Sequence, residues 1–339
     1  MKQALVLVEI LQDIGLLFNK VFKIIQDNDK FLIITHDFPD GDSLGCQVAV
    51  FEIISGLGKK ALMVCNSDIP YQYKFLPHVE KIIKSLDDTE VNRLDKNCIC
   101  ICLDSADENR FKLDVERLKH RCSLIINIDH HLGNTRYGDI NIINSKKSAT
   151  AEILYEFIYS KYKDLLNYNI ALGIYTGILT DTGRFQYENT TSSVHLIISH
   201  LLEFGIDPPE IFSFIYENEP LNRFKLLEIA LKRTRVLNSK KLVYSYLLTK
   251  DFEKLKLPFS AHDGIIELLR SASEAKISAL FKQFGKDNFK VSLRSSVSDC
   301  NVAELASKFG GGGHKRASAY SQKGSLKEVI SNLINAIDI

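Results

Sequence analysis

The fold follows from Ser123-Leu124-Ile125-Ile126-Asn127-Ile128-Asp129-His130-His131. Its first six residues are dominated by Leu and Ile, a short run that reads as a buried strand. Its last three are a carboxylate and two imidazoles, a poor choice for packing alone. Two earlier stretches repeat the pattern. Phe31-Leu32-Ile33-Ile34-Thr35 runs into His36, Asp40 and Asp42, and Cys98-Ile99-Cys100-Ile101-Cys102-Leu103 runs into Asp104. Ligands of open α/β sheets bind outside the carboxyl ends of the strands, so the three polar ends are expected to converge on one cleft. A fourth cluster, Thr180-Asp181-Thr182-Gly183, follows the apolar segment Ile170 to Leu179.

Outward from these strands, Glu9 to Asp27 has helical spacing, and Leu44 to Ile54 reads as a helix stopping near Gly56 or Gly58. Lys60 to Cys65 is a second strand. The alternation predicts an α/β fold, its amino-terminal domain a mostly parallel sheet with helices on both faces. Beyond Asp129 the pattern turns helical: Thr150 to Tyr162, Asn169 to Leu179, Ser192 to Phe204 before Gly205, a helix opened by Pro208, and Leu221 to Val236. A smaller α/β pattern follows, with strands Leu242 to Leu248, Ile277 to Phe281 and Phe289 to Arg294, and a helix near Asp263 to Ser271. The last helix opens with a capping box, Ser325 and Glu328. The expected organisation is a catalytic domain over 1–190, a helical linker over 191–236, and a second domain over 237–339.

A chain of 339 residues is too long for one small core. Its net charge of +1 gives no sign of a general nucleic-acid coat or an anionic-membrane binder, so any phosphate recognition is expected to be local. The apolar run Ala4 to Val8 is followed by Glu9 and Asp13, which fits neither a signal peptide nor a membrane span of about 20 residues. A cytoplasmic protein is expected. The seven cysteines have no framework spacing, and Cys98, Cys100 and Cys102 alternate onto one strand face as reduced core residues.

His36, Asp40, Asp42, Asp104, His130 and Asp181 offer oxygen and imidazole donors with no thiolate, a set suited to a Mn²⁺-like ion. Four carboxylates in one cleft repel, and burying them without counterions is costly. Two divalent cations sharing a bridging carboxylate resolve that conflict; such pairs generate hydroxide at neutral pH and clamp phosphate oxygens. Singly, each residue has an ordinary reading. His36 could be a capped histidine, Asp40-Gly41-Asp42 a turn, Asp104 a helix cap. The conjunction, each just beyond an apolar segment, favours the metal site.

Phe309-Gly310-Gly311-Gly312-Gly313-His314-Lys315-Arg316 carries a second signal. Glycines let backbone N–H groups approach an anion, and His314, Lys315 and Arg316 add cationic donors. The glycines sit between a short helical pattern, Val302 to Lys308, and an Ala-Ser-Ala run, which favours phosphate binding over a loose loop. Gly311, Gly312, Gly313, His314 and Arg316 are the expected contacts, with Arg294 as a second anion contact.

His36-Asp37-Phe38-Pro39-Asp40-Gly41-Asp42, Asp104-Ser105-Ala106, Asp129-His130-His131 and Asp181-Thr182-Gly183 resemble the four ordered motifs of the DHH phosphoesterase family, and Gly310 to His314 resembles the signature of its associated carboxy-terminal domain. The likeness covers nearly the whole chain. It departs at Ser43, Cys46 and Ala319, where Ala, Ser and Gly are usual; Ala319 narrows the backbone freedom beside the glycine loop. The resemblance implies one metal held by His36, Asp40 and Asp104, and a second held by Asp42, Asp104, His130 and Asp181. His131 would face the substrate phosphate, with Asp129 supporting it.

Size and the absence of further domains resemble the stand-alone oligoribonuclease and pAp-phosphatase type, including relatives acting on cyclic di-AMP or pApA. The expected activity is Mn²⁺-dependent hydrolysis of pApA, cyclic di-AMP, pAp or RNA of about two to five nucleotides to 5′-mononucleotides, the substrate lying between the two domains. No stable complex with long nucleic acid and no membrane partner are expected; a homodimer is compatible. Two other readings stay open: a family II inorganic pyrophosphatase, and a non-catalytic nucleotide sensor. The glycine signature speaks against the first, the intact ligand set against the second.

Overall fold

The computed structural model describes residues 2–85, 89–92, 94, 97–111, 115–297 and 300–337. The chain folds into two compact units, Met1–Asn218 and Glu219–Ile339.

The first unit comprises α1 (Lys2–Asp27), β1 (Lys30–Thr35), α2 (Gly41–Gly56), β2 (Lys60–Val64), a one-turn α3 (Thr89–Asn92), β3 (Cys98–Leu103), α4 (Val115–Arg121), β4 (Cys122–Asp129), β5 (Ile140–Ile143), α5 (Thr150–Lys161), α6 (Tyr168–Asp181), α7 (Ser192–Leu202) and α8 (Pro208–Tyr216). Its five strands pair in parallel in the order β2-β1-β3-β4-β5. Alternation along the strands divides their side chains between two cores. Phe31, Ile33, Ile99 and Ile101 join the helices of the larger core, while Leu32, Ile34, Cys98, Cys100 and Cys102 join Phe111 and Leu118 in the other. Burial on both faces is why β1 and β3 read as continuous apolar runs.

β5 corrects the expectation that the chain turns helical directly after Asp129. Ile140-Asn141-Ile142-Ile143 is only four residues long, and this edge strand alternates buried with half-buried positions. Such a run carries little periodic signal, and its strand character comes from pairing with β4.

Glycines set how α2 and α6 meet. A Cβ at Gly45 would lie 2.1 Å from the Gly173 carbonyl oxygen, and one at Gly173 would lie 2.5 Å from that of Gly45. One at Gly41 would lie 2.5 Å from Thr180 Oγ1. The helices therefore touch backbone to backbone and run antiparallel, with the first turn of α2 beside the last turn of α6.

The second unit comprises α9 (Leu221–Lys232), β6 (Arg235–Leu237), β7 (Leu242–Leu247), α10 (Thr249–Leu255), α11 (Ile265–Arg270), β8 (Ile277–Gln283), β9 (Asn288–Ser295), α12 (Val302–Ser307), β10 (Gly312–His314), β11 (Ala317–Lys323) and α13 (Leu326–Ala336). Its sheet, ordered β10-β11-β9-β8-β7-β6, is antiparallel except for β7 with β8. Ile277, Ala279, Phe281, Val291 and Leu293 face α12 and α13; Val243, Leu247 and Leu280 face α9 and α11. Ser325 and Glu328 form the expected capping box of α13.

Residues 191–236, expected as a linker, are packed elements. Val194, Ile197, Leu201, Ile211 and Ile215 belong to the first unit's core, and Leu226 and Ala230 to a core of the second. The helix expected to reach Val236 ends at Lys232, because residues 235–237 pair with β7. No helix among the described residues is long and apolar enough to cross a membrane.

Candidate metal centre

β1, β3 and β4 are the central strands, and each leads into a candidate ligand: His36, Asp104, and Asp129 with His130 and His131. In this strand order the succession reverses between β1 and β3, which leaves a crevice at their carboxyl ends. Asp104 turns into it with φ 55°, a left-handed backbone costing about 1–2 kcal/mol for a residue with a Cβ. Its N–H is held by the Ile128 carbonyl at 3.0 Å.

Two helices supply the other carboxylates. Asp40 caps α2, its carboxylate accepting from the Ser43 N–H at 3.0 Å while its own N–H donates to Ser43 Oγ at 3.0 Å. Asp42 lies in the first turn of α2, and Asp181 is the last residue of α6. The glycine contacts between these helices bring the two together. Gly177 is part of this, since a Cβ there would lie 2.6 Å from Asp42 Oδ1.

Three sets of donor atoms each gather within 4.8 Å: His36, Asp40 and Asp104; Asp42, His130 and Asp181; and Asp104, His130 and His131. Asp104 links them. Its Oδ2 is 3.6 Å from His36 Nε2, and its Oδ1 is 3.6 Å from His130 Nε2. His36 Nε2 is 3.9 Å from Asp40 Oδ1, and His130 Nε2 is 3.1 Å from Asp181 Oδ2. His36 donates its Nδ1–H to the Asp37 carbonyl at 2.8 Å, which leaves the Nε2 lone pair for the ligand group.

His131 is arranged differently. Its Nδ1–H is donated to Asp129 Oδ1 at 2.7 Å, and its Nε2 lies 3.5 Å from an Arg110 Nη1. A nitrogen that donates a proton has no lone pair for a metal, so Nδ1, which lies 3.6 Å from Asp104 Oδ1, is committed to Asp129, and the His131 lone pair is on Nε2. Asp129 also accepts from the His130 N–H at 2.8 Å and from Asn134 Nδ2 at 2.6 Å. Burial opposes its charge, but the hydrogen bonds from His131 and Asn134 hold its carboxyl below the usual range.

The remaining carboxylates feel the opposite pressure. Burial, then the Asp181 charge, pushes the Asp42 carboxyl up to about 7. Burial and Asp42 raise Asp104, and burial raises Asp181. Burial works against the His130 imidazolium, yet the hydrogen bond and charge of Asp181 lift it to about 11. Carboxylates crowded in this way lack positive charge. The donors are oxygen and imidazole, and the nearby Cys46 thiol, pushed up mainly by burial, only donates to Asp42 Oδ1 at 3.4 Å. The site fits hard or borderline divalent cations.

The helix expected from Thr150 is present as α5, but its contacts with the candidate ligands were not foreseen in the sequence. The N–H groups of Thr150 and Ala151 donate to the two Asp42 oxygens at 2.6 and 2.9 Å, and Thr150 Oγ1 donates to Asp104 Oδ1 at 2.9 Å. A threonine opening an apolar helix was the available signal, together with Gly173 and Gly177 four residues apart on one face of α6.

In the second unit, Arg294 Nε and Nη2 reach Glu267 Oε1 at 3.0 and 2.9 Å, so this expected anion contact already has a carboxylate partner. The glycine loop also differs from expectation. The N–H groups of Gly310 and Gly311 donate to the Ser307 and Ala306 carbonyls at 3.0 Å, capping α12. A Cβ at Gly311 would lie 2.3 Å from the Ala319 carbonyl oxygen. These two glycines thus close the helix and let the chain pass β11, while Gly312, Gly313, His314 and Lys315 are exposed and Arg316 is half-buried. Near Arg294, Lys282 is buried, donating to Ser292 Oγ at 2.6 Å and to His262 Nε2 at 2.9 Å. Burial and Lys290 pull its amine down to about 7.

Comparison with known proteins matches this architecture. Residues 30–178 match the DHH family, N-terminal domain, and residues 239–338 match the DHHA1 domain. A bifunctional oligoribonuclease and PAP phosphatase NrnA of Thermus thermophilus is 30% identical over 316 residues, covering 90% of this chain and 88% of that protein. The cyclic-di-AMP phosphodiesterase GdpP of Geobacillus thermodenitrificans is 25% identical over 86% of this chain but only 44% of its own length. The crystal structure of an exopolyphosphatase-related protein from Bacteroides fragilis superposes with a TM-score of 0.87 at 25% identity, covering 95% of this chain and 96% of that one. The chain belongs to the DHH family of phosphoesterases, hydrolases that here carry a DHHA1 domain.

Proposed function

We propose that this enzyme hydrolyses short nucleotide phosphoesters with two divalent cations, Mn²⁺ in the cell. Its substrates are pAp, linear and cyclic di-adenylates such as pApA, and RNA of about two to five nucleotides, released as 5′-mononucleotides. The observation that carries the two-cation reading is Asp104, whose two oxygens face different donor sets. His36, Asp40 and Asp104 would hold one ion; Asp42, Asp104, His130 and Asp181 the other. Bound there, the ions supply charge that lowers the pKa of a water and neutralises phosphate oxygens.

The chain's own groups do the rest. His131 presents Nε2 outward on the Asp129 hydrogen bond, in reach of a phosphate oxygen or leaving group, and Arg110 beside it offers a second donor. Asp129 fixes the tautomer and orientation of His131. The exposed Gly312, Gly313, His314 and Lys315 of the second unit, with Arg316, suit a terminal phosphate; Arg294 would have to exchange Glu267 for substrate. Short RNA and pAp are supported by the name of the Thermus thermophilus relative, which is of similar length, and cyclic di-AMP by GdpP, of which the match covers 44%.

The test is a side-by-side assay with Mn²⁺ on pAp, pApA, cyclic di-AMP, an RNA length series and inorganic pyrophosphate. Preference for the short nucleotides, lost on chelation, is expected. Turnover rising steadily with RNA length, or confined to pyrophosphate, would overturn the reading. Nucleotide binding without hydrolysis would indicate a sensor.

A further inference from the structure

Cys98, Cys100, Cys102 and Cys122 share one core of the sheet, and Cys98 and Cys122 lie at its end away from the candidate metal centre. Cys98 is the first residue of β3 and Cys122 the first of β4, whereas the candidate ligands lie at the opposite ends of these strands. The two are direct partners in the parallel ladder. Neighbouring strands are about 4.8 Å apart, inside the backbone separation that a disulfide spans. Their sulfurs are 3.2 Å apart, already closer than two non-bonded sulfurs normally stand, so a small rotation of either side chain brings them to bonding distance.

The pair is asymmetric. Cys98 is fully buried, while Cys122 keeps 6% exposure. Thiol hydrogen bonds from Cys100 and then Cys98 hold Cys122 well below the usual thiol range, at about 4, while the bond to Cys122 and burial push Cys98 up. Cys122 is thus the more accessible and the more readily ionised of the two, which makes it the attacking sulfur and Cys98 the resolving one.

We propose that Cys98 and Cys122 are a peroxide-oxidisable dithiol that closes to a reversible cross-strand disulfide. The Cys122 sulfur attacks the peroxide O–O bond, giving a sulfenic acid and releasing one hydroxyl oxygen as water or alcohol. The Cys98 sulfur then attacks the sulfenic sulfur, its proton leaving with the hydroxyl as a second water. Two thiols lose two electrons in total, and the peroxide gains them. A small-molecule dithiol reverses the reaction.

The experiment uses the full-length folded protein, treated with hydrogen peroxide at an excess that oxidises free glutathione, then alkylated in denaturant. Titratable thiols are expected to fall from seven to five. Trypsin cleavage after Lys96, Arg110, Arg121 and Arg136 should release residues 97–110 joined to 122–136, and dithiothreitol should separate them. Cys98→Ser should abolish this link and leave Cys122 as a sulfenic acid that dimedone captures. Seven thiols remaining in the wild type would overturn the proposal. So would a linked peptide that persists in Cys98→Ser, because Cys100 or Cys102 would then be the partner.

Discussion

The two units carry their candidate functional residues in opposite ways. In the first, the acidic and imidazole groups are mostly buried and braced by other elements: His36 by a carbonyl, Asp42 by two helix N–H groups, Asp104 by Thr150, His131 by Asp129. In the second, His314 and Lys315 are exposed at a strand end, and Arg294 is engaged by Glu267. This contrast separates costs met during folding from those met when a ligand arrives. A metal centre made of mutually repelling carboxylates must be positioned by folding, since a flexible chain would let them separate. A phosphate contact can remain at the surface and complete itself on binding.

The most severe test of this contrast is Asp104→Asn. If one carboxylate serves both donor sets, turnover should fall by about 10³-fold or more, and bound metal measured by atomic emission should drop at both positions. Full metal content with near wild-type turnover would remove Asp104 from the centre.

Next in size is a pair of glycine substitutions. Gly173→Ala drives a methyl group into the Gly45 backbone and should destabilise the first unit by about 3 kcal/mol in urea unfolding. At Gly312 no atom lies within 4 Å of an added Cβ, so Gly312→Ala should change stability by less than about 0.5 kcal/mol. Equal costs at both positions would erase the distinction between a packed and an open site.

Thr150→Ala should weaken divalent-ion affinity by about 10–100-fold, the usual scale for a group that orients a ligand, and Thr150→Ser should restore it. Titration calorimetry of the metal reads this without an activity assay. An unchanged affinity in Thr150→Ala would make the Asp104 contact incidental.

A last effect, spread over several pH units, concerns Lys282. Its folded pKa, about 7, lies below the unfolded value of about 10.4, so between these limits the unfolded chain binds more protons. Stability from this group should therefore increase as pH rises from about 7 towards 10, by at most ~1.4 kcal/mol per pH unit, and should be lost on acidification. Lys282→Met should remove that slope. Parallel stability curves for the two proteins from pH 7 to 9 would show that the amine stays charged in the fold.

Strands ending in His36, Asp104 and Asp129 were legible in the sequence because a continuous apolar run that stops at a charged residue suits the carboxyl end of a buried parallel strand and little else. The capping box of α13 was legible from an equally local signal, and the end of α7 was placed within two residues by Gly205, the helix stopping at Leu202 rather than Phe204. β5 and β6 were not, because runs of three or four residues become strands only through a neighbour that the local pattern does not contain. Nor did local sequence reveal what Gly45, Gly173 and Gly177 do, since a glycine inside a helix states only that space is short on one side. Residue types and their order were enough to show which side chains could bind metal and that they lie at strand and helix ends. The folded chain was needed to turn Asp104 towards two donor sets, to bring Thr150 and Ala151 onto the carboxylates, and to commit Gly310 and Gly311 to a helix cap. The reason is range: propensity and periodicity act over a few residues, whereas Asp42 meets the start of α5 only after more than a hundred residues of chain have folded between them.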